Sequence, residues 1–140
     1  RIIQENLEVD IYGNGSPEYL PSSKVKGGFK DTEPYDDYYF TIAIENTESN
    51  CYTSEKFINA ILRDCVPIYL GATKVNLTFG ECHHLVNGDI DHDIKLIKNI
   101  LNLPEEYYKF DEMEKARQEI FREGGKAHFP SFLLEAFSER

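Results

Sequence analysis

The residues with the most chemical promise lie in one stretch, Tyr39 to Ala72, where Glu45, Glu55 and Lys56 stand close together. Thr53 to Asp64 reads as a helix, so Lys56 falls in its first turn. There the backbone leaves N–H groups free and carries a partial positive charge, to which the ammonium adds a full one. Glu55 beside it can accept hydrogen bonds from two hydroxyls. A cation and amides for a phosphate, with a carboxylate for a ribose diol, are the equipment of a nucleotide site. Glu45 directly follows the largely apolar run Phe40 to Ile44. A carboxylate there is expected to be partly buried and to need partners, which a ligand at the end of a strand can supply. The plainer reading is that Glu55 merely favours the helix dipole and Lys56 is a solvated side chain. A Ser/Thr-x-Glu-Lys helix start is by itself a weak signal.

The surrounding elements place these residues. Leu7 to Tyr12 alternates apolar and polar residues and stops at Gly13-Asn14-Gly15, a strand and a turn. Ser16 to Asp37 is rich in Pro, Gly, Ser and charge and reads as a long exposed loop. Tyr38 to Glu45 (YYFTIAIE) is aromatic and β-branched, a buried strand. In the helix over Thr53 to Asp64, Thr53 or Ser54 serves as cap and Phe57, Ile58, Ile61 and Leu62 share one face. Val66 to Leu70 (VPIYL) is the next strand, and His84 to Asn87 a further short one. Asp91 to Asn102 forms a second helix with Ile90, Ile94, Ile97 and Leu101 along one stripe. Pro104 opens a third, running to about Glu123 and closed by Gly124-Gly125. Phe129 to Phe137 is expected to be a final short helix. Strands and helices in alternation predict an α/β fold, a parallel sheet flanked by helices. In such sheets ligands bind beyond the carboxyl ends of strands, where Glu45 and Lys56 stand.

Length and composition bound the rest. The chain has 140 residues, 41% hydrophobic and 13% aromatic, enough for the core of one domain. Its net charge of −10 disfavours a general nucleic-acid binder, because an acidic surface repels phosphate backbones. No apolar run approaches the length of a membrane span, and the start carries no charged-then-apolar signal segment. The chain begins at Arg1 within what reads as a helix-to-strand passage, so it is expected to be a piece of a longer polypeptide.

The central segment resembles the nucleotide-sugar-binding core of the α1,3/4-fucosyltransferases, glycosyltransferase family 10. That family shows Tyr-Lys-Phe, an apolar strand, Phe-Glu-Asn-Ser, a short loop, Tyr-Val-Thr-Glu-Lys, an amphipathic helix and then Val-Pro-[Ile/Val]-Tyr-x-Gly-[Ala/Ser]. Here stand, in the same order and at similar spacing, Tyr38-Tyr39-Phe40, Ile44-Glu45-Asn46-Thr47, Tyr52-Thr53-Ser54-Glu55-Lys56 and Val66-Pro67-Ile68-Tyr69-Leu70-Gly71-Ala72. Val9-Asp10-Ile11-Tyr12-Gly13 resembles the family's Val-Asp-x-[Tyr/Phe]-Gly strand, and Leu85-Val86-Asn87-Gly88-Asp89 its Phe-Ile-Asn-Val-x-Asp. Tyr39 replaces the family's Lys, Thr47 its Ser, and Phe79-Gly80-Glu81-Cys82-His83-His84 its Pro-rich turn. The resemblance covers about the first two-thirds of the chain; the C-terminal third matches in general character only.

The resemblance implies a Rossmann-like fold, the C-terminal, donor-binding half of a two-domain GT-B glycosyltransferase, with the whole chain as a GDP-fucose-binding domain. It implies that Lys56 neutralises the donor diphosphate, that Glu55 contacts the nucleotide at the ribose, and that Tyr52 lines the same site. Glu45 and Asn46 match the pair at the strand end that faces the donor sugar and phosphate. Arg1 is the candidate for an upstream arginine that reaches the diphosphate. The implied reaction is inverting transfer of fucose to a glycan acceptor hydroxyl. Its base is expected in an N-terminal acceptor half that this chain does not include. It implies no metal for the bond-breaking step and no cofactor beyond the donor. Partners are then GDP-fucose, the acceptor glycan and that N-terminal half, and a cytoplasmic setting is favoured over the Golgi lumen. Alternatives are another nucleotide sugar, a non-catalytic nucleotide- or sugar-binding module, and a structural domain in which Glu45, Glu55 and Lys56 form a surface network.

Other polar residues have plainer readings. Cys51, Cys65 and Cys82 are too few and too irregular for a disulfide framework or a zinc set, and read as reduced thiols. His83-His84, Cys82 and His92 suggest a metal site only loosely, because adjacent residues on a strand point apart. Asn14-Gly15-Ser16 and Asn76-Leu77-Thr78 are glycosylation triplets that matter only in a secreted protein. The acidic stretches Asp89 to Asp93 and Glu105 to Glu119 read as solvated faces.

Overall fold

A computed structural model describes residues 5–14, 20–46 and 53–122. Arg1, Cys51, Tyr52, the triplet at Asn14-Gly15-Ser16 in part, Gly124-Gly125 and the expected helix over Phe129 to Phe137 lie outside the described residues.

Among the described residues the chain forms two parallel sheets with helices around them. The first pairs β1 (Ile11–Tyr12) with β2 (Val25–Gly27). The second has the order β3-β4-β5, with β3 at Phe40–Ile44, β4 at Val66–Leu70 and β5 at His84–Leu85. Its register places Phe40 opposite Val66 and Ile44 opposite Leu70. The helices are α1 (Glu33–Asp36), α2 (Glu55–Leu62), α3 (Val75–Phe79), α4 (Ile90–Asn102), α5 (Pro104–Tyr107) and α6 (Phe110–Phe121).

β4 is the central strand, and its sequence Val-Pro-Ile-Tyr-Leu explains why. A strand covered on both faces needs apolar residues at successive positions rather than alternation. Val66 to Tyr69 are all buried. On one side Tyr69 packs with Phe57, Ile58, Ile61 and Leu62 of α2 and with Met113, Ala116 and Ile120 of α6. On the other, Ile68 packs with Ile94, Ile97 and Ile100 of α4 and with Leu7 and Val86. Burying each of these larger side chains stabilises the fold by about 1.5–3 kcal/mol. The helix that carries Lys56 is therefore anchored by its apolar stripe and not by its polar first turn.

α2 has defined ends. Ser54 is the N-cap, and its Oγ accepts from the Lys56 amide at 3.3 Å. The helix closes at Asp64, whose φ of 57° lies in the left-handed region that ends helices. The turn lets the Cys65 amide donate back to Ala60 O at 2.9 Å and sends the chain straight into β4. Buried Arg63 donates from Nε to Asp36 at 2.6 Å, tying α1 to the end of α2.

Several expectations need correction. The strand expected over Leu7 to Tyr12 is regular only at Ile11–Tyr12. The stretch Ser16 to Asp37, expected as loop, carries β2 and the single-turn α1, where Pro34 suits the first turn. Val75–Phe79 forms an additional short helix. The helix expected from Pro104 to about Glu123 is broken into α5 and α6 at Tyr108, whose backbone is extended (ψ 135°). Tyr108 is drawn inward: its hydroxyl donates to Asp64 O at 2.8 Å and its ring meets Phe40 and Tyr39 edge-on. That tertiary contact outweighs the helical preference of the flanking residues.

Candidate functional site

The carboxyl ends of β3 and β4 and the start of α2 converge on Glu45. Its amide continues the ladder, donating to Leu70 O at 2.9 Å. Its Oε1 accepts from the Ser54 amide at 2.8 Å and from the Tyr69 hydroxyl at 3.2 Å. The Tyr69 hydroxyl in turn accepts from the Ala72 amide at 3.0 Å. One carboxylate thus fixes the end of its own strand, the N-terminus of α2 and the turn after β4. Burial, joined by the nearby Glu45 carboxylate and opposed by the Ala72 amide, pushes the Tyr69 phenol up to about 12, so it remains a donor to Glu45. Gly71 belongs to the same corner: a Cβ there would overlap Glu45 Cγ and Tyr69 Oη.

Lys56 sits at the rim of this corner. β3 is an end strand, and its bonds to β4 run through Tyr39 O and the Glu45 amide. By the period of two, Phe40, Ile42 and Ile44 present their backbone groups to the unpaired outer edge. Lys56 Nζ donates to one of these, Ile44 O, at 3.2 Å. Among the described residues it makes no ion pair, so its charge is available to an anion. Glu55 is exposed on the same turn, and its charge reaches Tyr35. Asn46 is exposed just beyond Glu45.

Between the outer edge of β3 and the β1–β2 pair opens a cleft of about 1120 Å³, and Lys56 lines it. Its lining also includes Asp10, Tyr12, Phe29 and Tyr38. Tyr38 Oη donates to Asp10 Oδ2 at 2.6 Å and lies 3.0 Å from Tyr12 Oη. The Tyr12 ring stands edge-on to both Phe29 and Tyr38. Lys26 pairs with Asp10 Oδ1 at 3.6 Å. Ile42, Ile68, Ile97 and Ile100 add apolar lining. A concave, largely apolar surface with a few convergent polar groups is the usual form of a small-molecule site.

The residues singled out in the sequence therefore separate. Lys56 lines the cleft, Glu45, Asn46 and Glu55 are not among its lining residues, and Glu45 spends Oε1 on internal bonds. Arg1 and Tyr52 lie outside the described residues. Asp10, Tyr12, Tyr38, Tyr69 and Gly71 all stand within the family-like motifs of the sequence, which assign none of them a role; their contacts come from the fold.

The histidines divide as neighbouring strand residues do. His83 is 2% exposed, lies against Phe57 and Tyr69, and leaves Nε2 without a partner among the described residues. Burial pushes its pKa down to about 4. His84 turns the other way, with Nε2 2.6 Å from Tyr107 O. Burial pushes the Cys82 thiol up to about 12, which leaves it a protonated core residue. Asp89 caps α4 through the His92 amide, and Asp93 accepts from the Asn87 and Gly88 amides. The acidic stretch read as a solvated face thus also builds the turn into α4. Among the described residues no group of three or more His, Cys, Asp or Glu side chains is placed to hold a metal, and no helix is long and apolar enough to cross a membrane.

The described residues thus form parallel α/β sheets, with the start of α2 and Lys56 at the outer edge of one of them beside a cleft. The family described as "Glycosyltransferase family 10 (fucosyltransferase) C-term" matches residues 1–112, so the chain belongs to that family of glycosyltransferases and corresponds to its C-terminal domain. An alpha-(1,3)-fucosyltransferase C of Drosophila melanogaster is 37% identical over 70 residues, covering 49% of this chain and 16% of that protein. No solved structure gives a significant match.

Proposed function

We propose that this chain is the donor-binding half of an inverting, GT-B type fucosyltransferase that takes GDP-fucose. The observation that carries the reading is Lys56: a cation in the first turn of α2, without an ion-pair partner among the described residues, at the rim of a large cleft beside the carboxyl end of β3. Family membership supplies the chemistry it would serve. The donor diphosphate meets Lys56 and the positive end of α2, and Glu55 accepts from the ribose hydroxyls. Asn46, Tyr52 and Arg1 complete the donor contacts on the strength of the family motif. Glu45 acts on the site by holding the corner together through Oε1, and its carboxylate faces the donor sugar on the strength of the family motif.

In the reaction, an acceptor glycan hydroxyl attacks the anomeric carbon of fucose and loses its proton to a carboxylate of the N-terminal half. The bond from that carbon to the phosphate oxygen breaks, and its electron pair leaves with GDP. The transition state is positive at the sugar ring and increasingly negative on the departing phosphate. A preorganised cation at the phosphate is worth several kcal/mol in such a step, about the contribution of one well-placed donor. No metal is needed for it, since Lys56 and the helix supply the positive charge.

Titration of this chain with GDP, GDP-fucose and UDP-sugars tests the reading. Binding of GDP and GDP-fucose is expected, without fucose transfer to galactosyl-N-acetylglucosamine acceptors, because the base must lie within hydrogen-bond reach of the acceptor. Preference for UDP-sugars would replace the donor assignment. Absence of all nucleotide binding would remove the donor site. Transfer by this chain alone would place the base within it, with Glu45 as first candidate.

A further inference from the structure

The connection from α4 through α5 to α6 leaves several large apolar side chains in solvent. Leu103 is 51% exposed and Phe110 72% exposed, and Leu101 at the end of α4 is exposed as well. Tyr39, just before β3, joins them through Tyr108, whose ring it meets edge-on at 5.7 Å. Single exposed apolar residues need no explanation, but four gathered around one connection do. The core does not use them: α5 buries no residue, and α6 buries Met113, Ala116 and Ile120. The charge around them has one sign. Glu105, Glu106, Asp111 and Glu112 are exposed. Two of these acids open α5 and two open α6, where the helix dipole favours them. That accounts for the acids and not for the apolar residues set among them. Lys109, the one cation between Leu101 and Glu112, is half-buried, and its charge reaches inward to Cys82 and His83.

We propose that this surface docks a short segment of another protein, one that carries apolar side chains and arginines together. The apolar area drives the association, and the acids choose the partner. A second copy of this chain would bring like charge, with a net −10 and the same four acids. An anionic membrane or a nucleic acid is repelled in the same way. Arginine answers both halves of the surface: its guanidinium forks onto a carboxylate and stacks on the face of an exposed ring. Burying an exposed aromatic such as Phe110 against such a segment is the usual source of interface energy. Tyr39 precedes the first residue of β3, whereas Lys56 meets its last, Ile44, so this docking does not rest on the nucleotide reading.

The test is fluorescence anisotropy of this chain against two labelled synthetic peptides, one of leucine and arginine at helical spacing and one with glutamate in place of arginine. The arginine peptide is expected to bind, more weakly as salt rises, and the glutamate peptide is not. Phe110→Ser should weaken the arginine peptide about tenfold or more. Glu105→Gln together with Glu106→Gln should weaken it about threefold or more and flatten the salt dependence. Phe121→Ser, at the other end of α6 and also exposed, should leave the affinity unchanged. Because all these positions are exposed, urea unfolding of each variant should match the wild type. Wild-type affinity in Phe110→Ser, equal binding of the two peptides, or binding of neither overturns the proposal. Self-association of the wild type that Phe110→Ser abolishes also overturns it and assigns the surface to a second copy.

Discussion

Tyr69 donates its hydroxyl hydrogen to Glu45 at 3.2 Å while the same oxygen accepts the Ala72 amide at 3.0 Å, so one phenol joins the ends of β3 and β4. The ring is fully buried and cannot find replacement partners in water. Tyr69→Phe leaves the Ala72 amide unpaired and removes one of the bonds to Glu45. A loss of about 1–3 kcal/mol is expected, the cost of an unsatisfied buried group. Gly71→Ala forces a methyl against Glu45 and Tyr69 and should cost about 1–3 kcal/mol by overpacking. Urea unfolding of both variants measures this; wild-type stability in either would dissolve the clamp.

Lys56→Ala should weaken GDP binding by about 1.5–3 kcal/mol, the contribution of one charge-assisted contact. Stability should change little, because α2 is held by Phe57, Ile58, Ile61 and Leu62, and the bond to Ile44 O is exposed. Calorimetry with unchanged GDP affinity would take Lys56 out of the site.

Glu55→Gln should weaken GDP and leave pyrophosphate binding nearly intact. A carboxylate accepts from both ribose hydroxyls, whereas the amide keeps one oxygen and its NH₂ cannot accept. Glu55 is exposed, so its role shows in binding rather than in folding. Equal weakening of both ligands would shift its role to the helix terminus.

Acid should destabilise the fold through His83. Its folded pKa of about 4 lies below the ordinary histidine value, because the buried ring has no room for a charge and neighbouring Lys109 and His84 add to the effect. The unfolded chain therefore takes up a proton between about pH 6.5 and pH 4 that the folded chain refuses. Stability is complete above pH 6.5 and falls as the pH drops through that window, by about 1.4 kcal/mol per pH unit for one proton. His84, also lowered chiefly by burial, acts in the same direction. Denaturant unfolding from pH 7.5 to 4.5 reads the slope, and His83→Leu should flatten it. The same slope in the variant would assign the proton elsewhere.

The apolar runs were legible from sequence because their burial is local and periodic. Val66 to Leu70 is β4 as expected, and the strand read over Tyr38 to Glu45 and the helix over Thr53 to Asp64 are β3 and α2 with ends shifted by a residue or two. The motif order was equally legible and led to the family. Less regular parts were not. Nothing local in Ser16 to Asp37 marks β2, whose pairing with β1 depends on distant residues. The break at Tyr108 depends on a carbonyl at Asp64, far along the chain.

The sequence by itself determined the main elements and the family, and named Lys56 as a candidate for an anion, since helix starts, apolar stripes and motif spacing are properties of neighbouring residues. Tertiary structure alone decided how those residues divide their work. It turned Glu45 inward to Ser54 and Tyr69, and left Lys56 at the rim of a cleft. It also brought Asp10, Tyr12 and Tyr38 together along the same cleft. The reason is geometric: which side of a strand edge a carboxylate meets depends on what packs there, and those partners come from other strands and helices.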